Sequence, residues 1–451
     1  MGLEIGIGWL TLIMFGSLLG LLMAGLPLAF VTGGLACVFL FVLDSPDALN
    51  IVPSRIFPLM TNYQLSAIPL FIFMASMLER AGIISDMFDV IYKVLGGLRG
   101  GLAAATIIAS TVLAAMVGVI GAAVVTMGII ALPAMLGRRY DPKIAMGSIM
   151  AGGTLGILIP PSILAILYAV VAEQSVGELF IGAVIPGLLL SGMYIAYVVM
   201  RSVANPVLGP PIPVEERISA REKVQLLGLL AAPITLIVVV LGVIFSGIAT
   251  PVEAAGIGTY GAFVVAAIHR KLDWPTIRDA CITTLKASAM VIWIMFGATI
   301  FVGLYVLEGG QRFVQDAMVS TGLGPWGILI LMQILLVVLG MFLDWIGILL
   351  LCVPIFVPIV KALGAQAFGL SDPADLVLWF GVLYLVNMQM SFLSPPFGYA
   401  LFYLRGVAPP EIPMGDIYKA ALPFLALQIL GLAVCMLFPG VITWLPNLVY
   451  G

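Results

Sequence analysis

Apolar runs cover almost the whole chain, and short polar, glycine-rich or proline-rich breaks separate them. Several runs are long enough for a transmembrane helix, which needs about 20 apolar residues. Two runs are interrupted by a proline pair, in GTLGILIPPS at 153–162 and SFLSPPFGY at 391–399. Interrupted membrane helices in corresponding places of two halves often mark the binding region of a secondary transporter. This pattern therefore favours a transporter, and simple proline kinks are the alternative.

The second half of the chain repeats the first. AGLPLAFVTGG at 24–34 matches IATPVEAAGIG at 248–258, and FIFMASML at 71–78 matches IMFGATIF at 294–301. The two proline pairs follow in the same order. Each match is weak alone, but their shared order predicts an internal duplication of the kind found in transporters.

Each half also contains a pair of apolar arms that are too short to cross a bilayer. Arms of about 15 residues, fewer than the roughly 20 that a crossing takes, flank the tip GVIGAAV at 118–124. Two similar arms flank MFLDWIG at 341–347. We therefore predict re-entrant helical hairpins at about 102–136 and about 325–362.

These features divide the chain into two repeats of scaffold helices, a hairpin and a broken helix. Repeat 1 is predicted at 1–204, with its broken helix at about 143–172. Repeat 2 is predicted at 225–451, with its broken helix at about 376–405. The polar segment 205–224 is predicted to be a cytoplasmic linker with a short amphipathic helix on the membrane surface.

Composition and charge support this topology. With 62% hydrophobic and 9% charged residues and a mean hydropathy of +1.21, the chain is predicted to be a polytopic membrane protein. If repeat 2 is inverted, 16 of the 19 lysines and arginines lie on the cytoplasmic side, and only Arg55, Arg312 and Lys361 lie outside. The predicted fold class is an all-α polytopic membrane protein with two inverted-topology repeats, each with a re-entrant hairpin and a broken transmembrane helix.

The polar residues give little support for an enzyme. The only histidine, His269, stands in HRKLD, a predicted solvated loop, and the chain has no HExxH or GxSxG motif. We predict that the protein is not an enzyme, needs no organic cofactor or metal beyond a coupling ion, and binds no nucleic acid. An intramembrane protease or lipid transferase, and a channel, are weaker alternatives.

The breaks suggest what is transported. Interrupted helices leave carbonyl oxygens free as ligands for a hard cation, and half-helix N termini carry partial positive charge. This geometry suits sodium ions or protons coupled to the uptake of a carboxylate.

The chain resembles the large membrane subunit of TRAP transporters, the tripartite ATP-independent periplasmic importers of organic anions. The resemblance covers nearly the whole chain and is most specific in GTLGILIPPS, TPVEAAGIG at 250–258, MFLD at 341–344 and SPPFG at 394–398. It implies a fold like that of the ion transporter superfamily, a sodium-driven elevator mechanism and a place in the bacterial inner membrane. It also implies two protein partners, a small four-helix membrane subunit and a soluble periplasmic binding protein.

The sequence departs from the usual family pattern at the first hairpin tip. Where a serine-rich stretch is common, this chain has GVIGAAV at 118–124. The resemblance therefore points away from a sialic-acid-type substrate and toward keto acids, hydroxy acids, mannitol or chloroaromatic acids. A single-component sodium or proton symporter of similar architecture is the alternative.

Asp344 is the first candidate for substrate binding, because an ionisable side chain at mid-membrane depth is costly and usually functional. The alternative is that Asp344 caps the half-helix that follows it. Ser162 follows the first proline pair and would either bind a substrate carboxylate or cap its own helix. The predicted substrate-binding residues are Asp344, Ser162, Gly121 and Ser394.

Sodium is predicted to bind at the hairpin tips and helix breaks, where backbone carbonyls and serine hydroxyls are available. For the glycines, tight helix packing is the alternative. Glu253 would serve an ion relay or a capping box with Thr250. The predicted sodium-binding residues are Gly118, Val119, Gly153, Gly156, Phe342, Ser391 and Ser394.

Overall fold

The computed structural model describes residues 5–43, 46–118, 120–213 and 217–450, and all regular structure within them is helical. In these described ranges, seven helices are long and apolar enough to cross a membrane, or up to nine if each of two bent helix pairs is one span. The predicted all-α fold is confirmed, and the protein is a multi-pass membrane protein.

The described part of the first half contains ten α-helices. Their apolar residues follow the runs seen in the sequence, and glycine, proline or polar residues separate them. In chain order they are α1 (Ile7–Met23), α2 (Leu28–Leu43), α3 (Ile51–Met60), α4 (Ala67–Arg80), α5 (Ile83–Leu95), α6 (Gly101–Val117), α7 (Ile120–Gly137), α8 (Pro142–Thr154), α9 (Ile163–Ala172) and α10 (Val176–Ala204).

The described part of the second half contains eleven α-helices in a closely similar order. They are α11 (Ala220–Leu229), α12 (Ala231–Phe245), α13 (Pro251–Ile268), α14 (Trp274–Leu307), α15 (Gly310–Ser320), α16 (Pro325–Gly340), α17 (Trp345–Leu363), α18 (Ala374–Leu393), α19 (Tyr399–Val407), α20 (Met414–Leu437) and α21 (Gly440–Tyr450). The pairs α6–α7 and α16–α17 occupy the predicted hairpins, and α8–α9 and α18–α19 occupy the predicted broken helices.

The second arm of each hairpin is longer than the sequence pattern predicts. The helix α7 has 18 residues and α17 has 19. Each has the length and apolarity of a membrane span. Internal prolines, such as Pro133 in α7 and Pro354 in α17, do not end these helices. Neighbouring helices and local adjustments of the backbone satisfy the freed carbonyl groups in such cases.

A scaffold of α2, α4, α13 and α14 packs side by side. Small residues allow close approach: a Cβ atom on Gly33 of α2 would lie 3.5 Å from the Cα atom of Gly297 in α14. A hydrogen bond from Thr259 Oγ1 to the carbonyl oxygen of Leu70 (3.1 Å) joins α13 to α4. Two of these helices, α2 and α14, line a cavity of about 750 Å³.

The linker packs against the turn that leads into the first hairpin. Gly100 N donates to the carbonyl oxygen of Gly209 (2.9 Å), and Ile212 N donates to that of Gly96 (2.7 Å). From the start of α11, Lys223 Nζ reaches the carbonyl oxygen of Val94 (2.9 Å). The linker is thus attached to the base of the first hairpin.

HRKLD is a turn whose residues 270–273 are exposed, as predicted, but the His269 ring is more covered than expected. His269 is the C-cap of α13, and its side chain is only 17% exposed. Its Nδ1 atom lies 3.8 Å from Asp86 Oδ2 on α5. Tertiary packing of α13 against the first half covers the ring, which the basic neighbours in the sequence do not indicate.

Candidate functional site

The first helix break is fully buried. The helix α8 begins at Asp141, whose carboxylate accepts hydrogen bonds from the backbone of Lys143 (2.9 Å) and Ile144 (3.1 Å). It ends in a single 3₁₀ turn at Leu155–Ile157. The prolines that follow have no N–H group, so the helix cannot continue through them. All residues from 153 to 162 are buried.

Ser162 caps the helix α9. Its Oγ atom accepts a hydrogen bond from Ala165 N (3.3 Å) and donates one to the carbonyl oxygen of Ile157 across the break. The side chain is completely buried. The capping alternative is therefore what the structure shows, and a role of Ser162 in substrate binding stays a prediction.

The tip of the first hairpin lies between the two broken helices. Gly118 ends α6 with φ +60°, and a Cβ atom there would lie 2.9 Å from the carbonyl oxygen of Pro161. A Cβ atom on Gly121 would lie 3.1 Å from Cζ of Tyr403 in α19. Val119 lies outside the described residues. Two predicted site glycines thus contact the first break and the second broken helix.

Gly153 and Gly156 belong to the buried side of the first break. A Cβ atom on Gly153 would lie 3.2 Å from the backbone nitrogen of Val124 in α7, the second arm of the first hairpin. Gly156 lies in the 3₁₀ turn. Tight packing thus explains Gly153 in this conformation, and sodium binding at both glycines stays a prediction.

The two serines predicted at the second break direct their hydroxyl groups to backbone carbonyl oxygens. Ser394 Oγ donates to the carbonyl oxygen of Met390 (2.7 Å), and Ser391 Oγ lies 3.5 Å from that of Leu336 in α16. Both residues are buried. Unlike the first break, this one is partly open, because Pro396 and Phe397 are exposed. Both breaks contain a cis peptide bond between the two prolines.

Sequence reasoning missed three buried amides near the second break. Asn387 Nδ2 in α18 donates to the carbonyl oxygen (2.9 Å) and to Oε1 (2.7 Å) of Gln333 in α16. Gln389 is fully buried, and neither of its amide atoms has a hydrogen-bond partner among the described residues. Amides inside apolar spans such as VNMQMS are the signal that would have found them.

Asp344 lies at the tip of the second hairpin, on the wall of the main cavity. It occupies the N-cap position before α17. Its carboxylate makes no hydrogen bond of regular N-cap geometry to a described residue, but it interacts with the backbone N–H groups of Trp345 and Ile346 at the start of that helix. Capping and substrate binding therefore both stay predictions for Asp344. The cavity has a volume of about 750 Å³ and is also lined by Tyr399, Tyr403, Phe30 and Trp293. It thus lies between the second hairpin and broken helix on one side and α2 and α14 on the other.

The electrostatics of this cavity are set by one carboxylate. Asp344 is the only charged side chain among the described residues that line it, and no ion pair joins it within the described chain. An unpaired carboxylate in a low-dielectric site is costly. The N terminus of α17 supplies only a partial positive charge. The site is therefore suited to bind a cation.

Phe342 lies two residues before Asp344 and also lines the cavity. Its ring is 51% exposed and lies 5.9 Å from the ring of Phe397, between centroids. Its side chain offers no ligand for sodium, so only its backbone carbonyl would serve. The predicted sodium role of Phe342 rests on that group.

The sequence matches a family model over residues 15–441, described as the tripartite ATP-independent periplasmic transporter, DctM component. The chain belongs to this DctM family. It is 34% identical over 417 residues to the C4-dicarboxylate TRAP transporter large permease protein DctM of Pseudomonas aeruginosa, which covers 92% of this chain and 93% of that protein. The predicted resemblance to the large membrane subunit is confirmed.

A second DctM relative is longer than this chain. The isethionate TRAP transporter permease protein DctMQ of Oleidesulfovibrio alaskensis is 30% identical over 430 residues, which span 95% of this chain and 65% of that protein. Among solved structures, the YdaH transporter of Alcanivorax borkumensis has a TM-score of 0.62 at 15% identity, covering 95% of this chain and 99% of that chain. This likeness concerns the fold alone.

The segment TPVEAAGIG at 250–258 has a local structural role. Thr250 Oγ1 accepts a hydrogen bond from Glu253 N (3.3 Å), and Glu253 Oε2 accepts one from Thr250 N (2.8 Å). This is the predicted capping box at the start of α13. Glu253 is exposed and lies apart from the residues that line the main cavity. The geometry supports capping rather than an ion relay.

Proposed function

We propose that this permease imports organic anions, coupled to sodium ions, by an elevator mechanism in the bacterial inner membrane. One observation carries the proposal: the cavity at Asp344 lies between the second hairpin and broken helix and the α2–α14 wall. In an elevator, the hairpins and broken helices move together against the scaffold. A binding site on that boundary would be carried across the membrane with them.

Sodium is the coupling ion that fits this cavity. Asp344 provides a full negative charge, and the hydroxyl groups of Tyr399 and Tyr403 provide further oxygen atoms. Hard cations prefer such oxygen ligands. A bound sodium ion would neutralise Asp344 and allow an anionic substrate to enter the same cavity. This order of binding couples the anion to the ion.

We propose two protein partners. The family description names a tripartite periplasmic system, which supports a soluble periplasmic binding protein that delivers the substrate. About a third of the DctMQ relative lies beyond the match to this chain, which covers 65% of it. That surplus supports a separate small membrane subunit, with four helices, as a partner of this chain.

Reconstitution tests the proposal. The chain would be placed in proteoliposomes with its small membrane subunit, and uptake of a labelled panel of carboxylates would be measured with and without the binding protein. Uptake that needs both the binding protein and an inward sodium gradient is the expected result. Uptake without the binding protein would establish the single-component symporter instead, and no uptake under any sodium or proton gradient would refute the proposal.

A further inference from the structure

We propose that the main cavity selects a monocarboxylate with an apolar, aromatic-sized body rather than a dicarboxylate. This inference deepens the proposed function and rests on it. The carboxylate end of the substrate would lie at Asp344, Tyr399 and Tyr403. Its apolar body would lie against the rings of Phe30, Trp293 and Phe342, which together form the aromatic wall.

The charge of the cavity argues for one carboxylate. Among the described residues, no lysine, arginine or histidine lines it, and Asp344 adds a negative charge of its own. A sodium ion held by Asp344 can bridge to one substrate carboxylate, with the tyrosine hydroxyls donating hydrogen bonds to it. A second carboxylate would be placed in a poorly solvated site without a cation to pair with, which is strongly unfavourable.

The aromatic wall of the cavity suits an apolar body. Phe30 of α2 and Trp293 of α14 lie with their ring centroids 6.1 Å apart, at an angle of 60°. Phe30, Trp293 and Phe342 are 63%, 53% and 51% exposed, so their rings are accessible to a ligand. Aromatic rings pack best against other rings or flat apolar groups. The indole N–H of Trp293 is the one polar side-chain group of the aromatic wall, which is too little to solvate a hydrophilic chain.

The space available also exceeds the needs of a four-carbon acid. The cavity measures about 750 Å³. It shares Leu22, Phe342, Leu343 and Tyr399 with a neighbouring cavity of about 640 Å³, lined mainly by apolar residues that include Phe397 and Phe402. Sites of several hundred Å³ lined by aromatic side chains with a few polar groups bind ligands with a sizeable apolar part. The polar end and the apolar extension together define the substrate class.

Equilibrium binding in sodium tests this without any binding protein. The full-length chain would be purified with any subunit that stays bound, and the affinities for 3-phenylpropionate and succinate would be compared by calorimetry and by tryptophan fluorescence. Burial of a phenyl group and the missing second cation predict that 3-phenylpropionate binds at least about tenfold more tightly. Phe30→Ala should weaken 3-phenylpropionate at least about threefold and leave succinate nearly unchanged.

Trp293 reports where the ligand binds. The fluorescence change on adding 3-phenylpropionate should disappear in Trp293→Phe and persist in Trp444→Phe, since Trp444 is an exposed residue of α21 outside the cavity lining. Succinate binding as tightly as 3-phenylpropionate, no binding of either acid in sodium, or a fluorescence change that survives Trp293→Phe would each overturn the inference. If one of these results is found and the reconstituted protein still takes up succinate in a sodium gradient, the inference about the substrate fails but the proposed function stands. Failure of the inference can therefore be distinguished from failure of the proposed function.

Discussion

Asp344 is the residue on which the site depends most. It is the one charged side chain among the described residues that line the cavity, and no ion pair joins it within the described chain. The backbone N–H groups of Trp345 and Ile346, which interact with its carboxylate, supply only partial positive charge. Glu253 differs, because its carboxylate belongs to a regular capping box at the exposed start of α13.

Replacing Asp344 by asparagine should remove the charge with little change of shape. In a poorly solvated cavity a direct ion–carboxylate contact is worth more than about 1.4 kcal/mol, so the apparent sodium affinity in reconstituted uptake should fall at least about tenfold. Asp316→Asn on the exposed face of α15 is the matched control and should leave uptake unchanged. If uptake by the Asp344→Asn variant depends on sodium concentration as uptake by the unchanged protein does, Asp344 is not a ligand of the coupling ion.

Gly118 tests the contact between the first hairpin tip and the first break. Its φ of +60° is a conformation that other residues adopt with strain, and a Cβ atom would lie 2.9 Å from the carbonyl oxygen of Pro161. Gly118→Ala should lower the free energy of unfolding by about 1–3 kcal/mol. Gly309→Ala provides the matched control, since Gly309 has φ +86° but no atom within 4 Å of its Cβ position.

The comparison would be made by thermal unfolding in detergent. A larger loss for Gly118→Ala than for Gly309→Ala measures the cost of crowding Pro161, because backbone strain is common to both variants. Equal losses of stability in the two variants would show that position 118 is not in close contact with Pro161 in solution.

At the scale of elements, the second broken helix is tied to its hairpin by a buried amide pair. Asn387 on α18 donates two hydrogen bonds to Gln333 on α16. Both side chains are nearly or fully buried. Such a pair fixes one helix against the other, so α16 and α18 should move as one unit during transport.

Breaking one side of the pair should cost more than removing both sides. Asn387→Leu leaves the Gln333 amide buried without this partner, and a loss of about 1–3 kcal/mol in unfolding free energy is expected. The double variant Gln333→Leu/Asn387→Leu should recover part of that loss, because neither amide of this pair is then left buried without the other. Thermal unfolding of the four proteins measures the coupling; additive losses would mean that the two amides act independently.

At the scale of the whole molecule, the proposed elevator requires sliding between α17 and the scaffold. The helices meet where Leu28 begins α2 and Gly347 lies near the start of α17: a Cβ atom on Gly347 would lie 3.6 Å from Cγ of Leu28. Joining these two positions should hold the protein in one state.

A short thiol crosslinker in a Leu28→Cys/Gly347→Cys variant, made without the four native cysteines, should abolish uptake, and cleavage of the crosslinker should restore it. The matched control is Arg80→Cys/Asp279→Cys, which joins α4 and α14 inside the scaffold, where the native side chains lie 3.5 Å apart. Uptake should survive crosslinking of this control. Transport that continues with α2 and α17 joined would rule out relative movement at this boundary.

Much of the fold was predictable because its determinants are local. The length of an apolar run decides whether a segment can span the membrane, and proline ends or kinks a helix wherever it removes an N–H group. The proline pairs at 160–161 and 395–396 and the glycine-containing tips therefore marked where α6, α8, α16 and α18 end. The capping box at Thr250 was likewise visible as a four-residue pattern.

The candidate site was predictable only in part. Asp344 was evident because a charged residue inside an apolar run is rare, and it lines a cavity of ligand size. For Ser162 and Gly153 the sequence offered helix capping and tight packing as alternatives to binding, and only their contacts in the folded chain show capping by Ser162 and close packing of Gly153. The Asn387–Gln333 pair was missed because its partners are 54 positions apart.

The sequence by itself determined that this is a helical membrane transporter subunit of the DctM family, since hydropathy, proline breaks and motifs act through neighbouring residues. Tertiary structure alone decided which groups meet. It placed Tyr403 beside Gly121, and it placed Phe30 and Trp293 in the same cavity as Asp344. These contacts depend on how distant helices pack together, and helix packing is set by the shapes of whole surfaces rather than by any local pattern.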